Sequence, residues 1–239
     1  FVSKNEDLIL ANATAPLQSA AAATTDIPIL GTSVTDYATA LDISDWSGTT
    51  GRNISGTSDL APLSEQAAML NELFPDAKNV GLLYCSAEAN SQYQIDVIKE
   101  ELEKLNYTCT AYSFVDSNDI ASVVQSAVND NDVLYVPTDN TAASNTEVIN
   151  NIAGEAGVPI IAGEAGICKG CGVATLSISY YDLGYQTGKM AYEILVNGAD
   201  PSTMEVEFAP AVTKQYNPDI CEKLGITVPD DYKALDMSE

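Results

Sequence analysis

The sequence contains no histidine, and Arg52 is its only arginine. Without histidine, the Ser-His and Cys-His pairs of nucleophilic enzymes and all histidine-ligated metal sites are excluded. With a single arginine, a bound anion must be held mainly by backbone N–H groups, hydroxyls, amides or lysines. Helix N-termini supply such donors, together with about half a unit of positive charge each.

Positive charge is scarce throughout, because 10 Lys and Arg residues face 34 Asp and Glu residues, a formal net charge of −24. Such a surface repels phosphate backbones, which excludes nucleic acid as a partner. No apolar run approaches the roughly 18 residues of a membrane-spanning helix. The hydrophobic content of 46% is typical of a globular protein, and 239 residues are enough for two domains.

What is present is an apolar strand, a polar turn and a helix, repeated along the chain. The helix predicted over 90–106 shows the pattern well, since Ile95, Ile98 and Leu102 fall on one helical face. Strands that alternate with helices of this length predict parallel βαβ units and therefore an α/β fold. Strands are predicted at 8–13, 27–34, 79–85, 107–114, 132–137, 158–163 and 173–179, and extended segments at 54–59 and 205–212. Helices are predicted at 14–24, 62–75, 90–106, 117–128, 145–156, 181–198 and 217–225.

Several boundaries carry specific expectations. Thr14 is the predicted N-cap of the first helix, and Ser117 or Asn118 that of the helix over 117–128. Asn217 is the predicted cap of the last helix, with Pro218 at its first position. The stretch 36–52 is rich in Asp, Ser, Thr and Gly and is predicted to be a loop.

Nearly every predicted strand is followed directly by hydroxyls, amides or a carboxylate, and none by Lys or Arg. Ligands of open parallel sheets bind outside the carboxyl ends of the strands. A small zwitterion suits this set, since its carboxylate can meet hydroxyls and helix N-termini and its ammonium an acid. The candidate ligand-binding residues are Thr14, Ala15, Thr35, Asp36, Glu88, Asn90, Ser91, Thr138, Asp139, Asn140 and Glu164.

The alternative for each of these residues is an ordinary helix cap, because Ser, Thr, Asp and Asn belong before helices whatever the function. Two clusters exceed what capping needs, namely the pair Asp139-Asn140 and the stretch Glu88 to Ser91. We therefore expect these two clusters to carry most of the binding.

Four stretches together resemble a known family: ATAPLQ at 13–18, EANS at 88–91, PTDNT at 137–141 and YYDLGYQTGKMA at 180–191. They are similar to the TrpX-like substrate-binding proteins of ABC transporters, whose fold is the type I periplasmic binding protein. The resemblance implies two Rossmann-like lobes with parallel sheets joined by hinge crossings. It places 1–60 plus 177–204 in the N-terminal lobe and 61–176 plus 205–239 in the C-terminal lobe.

The chain departs from the family at its start, which is Phe1 and not a methionine. Family members carry a further βαβα unit before this point, about 60 to 70 residues at the usual length of such units. We expect an incomplete first lobe, in a fragment of a longer protein. An absent strand would leave a sheet edge and face uncovered.

The resemblance implies an extracytoplasmic solute-binding component of an ABC importer, with an amino acid, Tyr, Phe or Trp, bound in the cleft between two lobes. Asp139 or Glu164 would pair with the ammonium, while Asn90 and Asn140 orient the ligand. The ligand carboxylate would be held by Thr14, Ala15 N–H, Ser91 and Thr138.

The implied partners are the amino acid and an ABC permease, for a monomer that meets the membrane only through a lipid anchor outside this chain, or lies in a periplasm. No catalytic residue, metal or cofactor is predicted. The alternatives are a ligand-sensing receptor or adhesin of the same fold, and an α/β hydrolase or transferase using Asp139 and Glu164 as acid and base. The absence of histidine, of a G-x-S-x-G elbow and of a phosphate loop counts against the enzyme.

The pair Cys168 and Cys171 has C-x-x-C spacing and is predicted to lie in a Gly-rich loop between strands. A loop position argues against a thioredoxin-like role. We expect either a local disulfide or two free thiols.

Overall fold

The computed structural model describes residues 1–238 and contains eleven strands and ten α-helices within that range. The strands are β1 (Ile9–Asn12), β2 (Ile29–Val34), β3 (Ile54–Ser58), β4 (Asn79–Cys85), β5 (Thr108–Phe114), β6 (Val133–Val136), β7 (Ile160–Ala162), β8 (Ala174–Ile178), β9 (Glu207–Phe208), β10 (Val212–Tyr216) and β11 (Lys233–Ala234). The helices are α1 (Thr14–Ala23), α2 (Tyr37–Leu41), α3 (Leu63–Leu73), α4 (Ala89–Lys104), α5 (Ile120–Asp130), α6 (Asn140–Ala143), α7 (Thr146–Ala156), α8 (Ala165–Cys171), α9 (Tyr180–Leu195) and α10 (Pro218–Leu224).

The described residues form two compact units, and the first contains Phe1–Leu60 and Ser179–Ala211. Its four-stranded sheet has the order β1-β2-β3-β9 and is parallel throughout. On one face Ile29 packs with Leu17 of α1 and Tyr37 of α2, while on the other Leu30 packs under Met190 of α9. Helices therefore cover both faces, as a parallel sheet requires.

Edge strand β1 of this unit is only half covered. Ile9 and Ala11 are buried, whereas Leu10 is 58% exposed, although its register partner Leu30 is fully buried beneath α9. The first unit thus leaves one edge and part of one sheet face open to solvent.

The second unit contains Ala61–Ile178 and the residues from Val212 to the end of the described chain. Its seven-stranded sheet has the order β11-β10-β8-β7-β6-β4-β5, and β10 runs antiparallel to β8. Val136 packs on one face against Val124 of α5 and Ile149 of α7. Tyr135 points to the opposite face, where its hydroxyl donates to Gln66 of α3 at 2.6 Å. The carboxyl ends of β4, β6 and β7 meet at one edge of this sheet.

The α/β pattern is as predicted, but several local expectations were wrong. Ala13, with φ of 80°, is the N-cap of α1, so Thr14 is its first helical residue. The stretch 36–52 contains α2, which begins because the Asp36 carboxylate accepts a hydrogen bond from Thr39 N at 2.7 Å. Helix α5 starts after Asp119, later than either predicted cap.

The C-x-x-C pair lies in helix α8 and not in a loop. The glycine-rich composition suggested a loop. In the structure, the Glu164 side chain caps the N-terminus of the helix, and Asn217 Nδ2 donates to two carbonyl oxygens of its last turn. The five cysteines, which include Cys168 and Cys171, are all free thiols.

The division into units differs in two places from the predicted lobes, and the smaller difference is that residues 177–178 belong to the second unit. Residues 205–211 belong to the first unit, not to the second. The reason is β9, which pairs with β3 at Thr57↔Glu207 and Ser58↔Phe208. At the end of the chain, Asn217 caps α10 by accepting from Asp219 N and Ile220 N, as predicted.

Candidate functional site

The polar cluster at the carboxyl edge of the second unit is centred on Glu88, which immediately precedes α4. Its Oε1 accepts hydrogen bonds from Thr141 N at 2.9 Å and from Thr141 Oγ1 at 2.7 Å. Its Oε2 accepts from Asn140 N at 3.0 Å, from Asn140 Nδ2 at 2.7 Å and from Asn90 Nδ2 at 3.2 Å. One carboxylate therefore receives five donors, more than the roughly four lone-pair positions that it offers.

These donors decide the charge state of Glu88. Partial burial alone would raise the pKa of the carboxyl, but the hydrogen bonds from Thr141 and Asn140 outweigh it and hold the pKa below its ordinary value. Glu88 is therefore an anion at neutral pH and can only accept hydrogen bonds.

Asp139 lies beside Glu88 and is 1% exposed. Its Oδ1 accepts from Ala142 N at 2.7 Å, which caps α6, and its Oδ2 accepts from Cys85 N at 2.7 Å, which ties β6 to β4. Burial and the charge of Glu88 raise the pKa of Asp139. Both carboxylate oxygens are thus engaged by backbone N–H groups.

The loop 138–141 is fastened to α4 from both sides. Gln94 donates to Thr138 O at 3.0 Å and accepts from Thr138 N at 3.0 Å, while Asn90 Nδ2 donates to Thr138 O at 3.2 Å. Ser91 is fully buried and hydrogen-bonds to Asp139. The two polar clusters singled out in the sequence therefore bind largely to each other.

Glu164 follows β7 at the same sheet edge, but its hydrogen bonds are to α8 and not to the Glu88 cluster. Its Oε2 accepts from Gly166 N at 2.6 Å and its Oε1 accepts from Ile167 N, so the side chain caps α8. Burial raises the pKa of this carboxyl despite those two bonds. Its observed contacts are those of a helix cap.

In the first unit the predicted residues also follow the carboxyl ends of the strands. Thr14 is 5% exposed, and its hydroxyl forms no hydrogen bond within residues 1–238. It opens α1, a ten-residue helix with no side-chain cap and no acid in its first turn. Thr35 Oγ1 donates to Asp59 Oδ1 at 3.1 Å, and Asp36 caps α2.

The structure thus brings six predicted residues into one network in the second unit, namely Glu88, Asn90, Ser91, Thr138, Asp139 and Asn140. Glu164 stands apart as the cap of α8, and the first unit places Thr14 and Ala15 at the start of α1. Sequence reasoning missed Gln94, although it lies on the same helical face as Asn90, one turn away. It also missed Asp59, which accepts from Thr35 and from Tyr180 OH at 3.2 Å.

Two further properties concern metals and membranes. Within residues 1–238 there is no group of three or more His, Cys, Asp or Glu side chains that could hold a metal ion. No helix in the same range is long and apolar enough to cross a membrane.

Comparison with known proteins gives a consistent result. The family model of the ABC transporter substrate binding proteins matches residues 1–237. A tyrosine-binding protein of Clostridioides difficile is 37% identical over 195 residues, which are 82% of this chain and 56% of the relative. The chain therefore spans little more than half the length of that curated relative.

Two solved structures are also similar. An ABC domain from Streptococcus pneumonia in complex with L-Trp is 31% identical, with a TM-score of 0.92 over 98% of this chain and 82% of that one. The ligand-free, open structure of a substrate binding protein with adhesive properties from Clostridium difficile is 36% identical, with a TM-score of 0.75 over 100% of this chain and 81% of that one.

These findings confirm the resemblance that the four sequence stretches indicated and the two-lobed α/β class that it implied. The chain belongs to the family of ABC transporter substrate binding proteins.

Proposed function

We propose that this chain is the extracytoplasmic solute-binding part of an ABC importer and that its ligand is an aromatic amino acid: Tyr, Phe or Trp. The ligand class is supported by two similar proteins, one named for tyrosine binding and one solved with L-Trp. The roles of individual residues rest on the contacts described above.

The observation that carries the proposal is the open N-terminus of α1. Every backbone N–H in the first turn of a helix needs a partner, and a side-chain oxygen before the helix usually supplies it. Ala13 cannot do so, and the Thr14 hydroxyl forms no hydrogen bond among the described residues, although the residue as a whole is only 5% exposed. A ligand carboxylate would satisfy both and would gain from the helix dipole.

A thermal-shift screen tests the ligand class. L-Tyr, L-Phe and L-Trp should raise the melting temperature, because a ligand at 100 times its Kd stabilises the folded state by about 2.7 kcal/mol. Ribose serves as the comparison ligand. A rise with ribose and none with any aromatic amino acid would refute the ligand class.

Calorimetry on Thr14→Val tests the position of the carboxylate. This variant keeps the shape of the side chain and removes the hydroxyl, so affinity should fall by about ten-fold or more, as for loss of a hydrogen bond to a charged group. Thr108→Val in β5 is the matched control, since Thr108 is exposed and belongs to the other unit. Equal ligand affinities for both variants would show that the ligand carboxylate does not bind at the start of α1.

The membrane-related parts of the proposal need separate assays. We propose an ABC permease as the partner, attachment through a lipid anchor outside this chain, and a monomer in solution. Light scattering tests the monomer, and ligand-dependent stimulation of ATPase activity in vesicles tests the permease. Unchanged ligand recovered after long incubation would support binding without turnover, as opposed to a hydrolase or transferase.

A further inference from the structure

Glu88 does more than accept the N–H groups of Asn140 and Thr141, because it also fixes the orientation of two asparagine side chains. Asn90 and Asn140 both direct Nδ2 at the same carboxylate oxygen, Oε2, at 3.2 and 2.7 Å. An ionised carboxylate accepts hydrogen bonds and donates none, so neither amide can rotate to place its oxygen there. The two amides are therefore held with nitrogen toward Glu88 and oxygen away from it.

This arrangement commits the backbone donors of the cluster to Glu88 and Asp139 and leaves side-chain oxygens without a donor. The N–H groups at 140, 141 and 142 are taken by Glu88 and Asp139. Within the described chain, no donor reaches Asn90 Oδ1, Asn140 Oδ1 or Thr138 Oγ1. Asn90 is only 6% exposed as a residue, but its Oδ1 is not among the buried side-chain atoms without a partner, so this oxygen remains open to an incoming group.

Charge favours the same kind of ligand. Glu88 is an anion, Asp139 is adjacent, and the salt bridges found in residues 1–238 involve neither of them. A ligand group that brings several N–H donors and a positive charge would satisfy the oxygens and offset the acids. A carboxylate would find the Thr138 hydroxyl as a donor but would also face two amide oxygens and negative charge.

We propose that Asn90 Oδ1, Asn140 Oδ1 and Thr138 Oγ1 form the subsite for the primary ammonium of the ligand, and that Glu88 is the positioning residue that makes this subsite reject anions. The inference rests on the proposed function and changes the expected role of Asp139, whose oxygens both serve the backbone. Selection for an amino group comes from two oriented amides and not from a carboxylate in contact with it.

The test compares L-tyrosine with desaminotyrosine, which has the same skeleton without the amino group, and L-tryptophan with indole-3-propionate. The wild-type chain should bind the amino acid at least about ten-fold more tightly than its deaminated analogue, the effect of one charged hydrogen bond. In Glu88→Gln the amides can rotate and the charge is gone, so this ratio should fall to near one. Glu100→Gln, an exposed residue of α4, is the matched control and should keep the wild-type ratio.

The affinity ratio distinguishes a positioning role of Glu88 from general loss of structure, because a disordered site would bind the amino acid and its deaminated analogue more weakly by the same factor. A folded Glu88→Gln with the wild-type ratio would overturn the inference, as would wild-type chain that binds desaminotyrosine as tightly as tyrosine. Should Glu88→Gln fail to fold, Asn140→Ala at an exposed position must lower the ratio, and an unchanged ratio refutes the subsite. A wild-type chain that binds no aromatic amino acid refutes the proposed function itself, which the wild-type titration shows before any variant is made.

Discussion

Replacing Asn217 should show how strongly one buried amide stabilises the second unit. The side chain is 1% exposed and makes four hydrogen bonds. Its oxygen accepts from Asp219 N at 3.1 Å and Ile220 N at 3.2 Å, and its nitrogen donates to Cys168 O at 3.1 Å and Lys169 O at 2.9 Å. One residue thus begins α10 and ends α8.

The magnitude follows from these contacts. Loss of the cap costs about 1 kcal/mol, and the Lys169 carbonyl left without a donor costs about 1 kcal/mol or more. Cys168 O keeps a second donor, Gly172 N at 3.0 Å, so its loss is smaller. Asn217→Ala should therefore lower the free energy of unfolding by about 2 to 3 kcal/mol. Asn217→Ser keeps a capping oxygen but lacks the amide donors, so it should lose only the second part, about 1 to 2 kcal/mol.

Urea unfolding followed by circular dichroism measures both values, and amide hydrogen exchange separates them. Exchange of the Asp219 and Ile220 amides should quicken in Asn217→Ala and stay slow in Asn217→Ser. Asn197→Ala, an exposed asparagine that donates to Glu193 at 2.7 Å, is the control and should stay within about 0.5 kcal/mol of wild type. A loss below 1 kcal/mol in Asn217→Ala would refute the reasoning.

Three other predictions concern single contacts. Gly56→Ala should strongly destabilise the first unit, because Gly56 has φ of 148° and an added Cβ would overlap Gly31 O. The melting temperature should fall in this variant and stay near that of wild type in the control Gly184→Ala in α9, where nothing lies within 4 Å of an added Cβ. Tyr135→Phe should cost about 1 to 3 kcal/mol in urea unfolding, because it leaves the buried Gln66 Oε1 without its donor; an unchanged midpoint would contradict this. Since the pKa of Glu88 is lower in the folded state, its stabilisation is present above the ordinary value of about 4.5 and is lost as pH falls through the folded pKa, so Glu88→Gln should flatten the acid side of a stability–pH curve.

The architecture could be predicted because strands and helices alternate with clear hydrophobic patterns. Strand β6 consists of apolar residues only, β4 carries Leu82, Leu83 and Tyr84 in succession, and α4 presents Ile95, Ile98 and Leu102 on one face. Such signals are local and survive in the linear sequence. The antiparallel strand β10 was missed because it contains Thr213, Lys214 and Gln215, which resemble an exposed linker.

The contacts within the candidate site could be predicted less well. Polar residues were correctly expected at the strand ends, but a sequence does not reveal that Glu88 reaches Asn140 and Thr141, which are more than 50 positions away. Two clusters that each exceeded their own capping needs turn out to satisfy one another. Whether a polar residue faces a ligand or a neighbouring loop depends on contacts between distant positions. Such contacts produce no repeating pattern in the sequence.

One consequence concerns the way in which the second unit is interrupted. The chain leaves it after Ile178 and returns at Val212, and these two residues are register partners on the antiparallel strands β8 and β10. Residues 179–211 therefore leave and rejoin the sheet at paired positions of neighbouring strands. In a chain that starts at Ala61, and so lacks the rest of the first unit, a two-residue Asn-Gly turn could replace residues 179–211 and close that hairpin. The seven-stranded sheet should then fold as a continuous chain of its own, ready for spectroscopy on the Glu88 cluster alone.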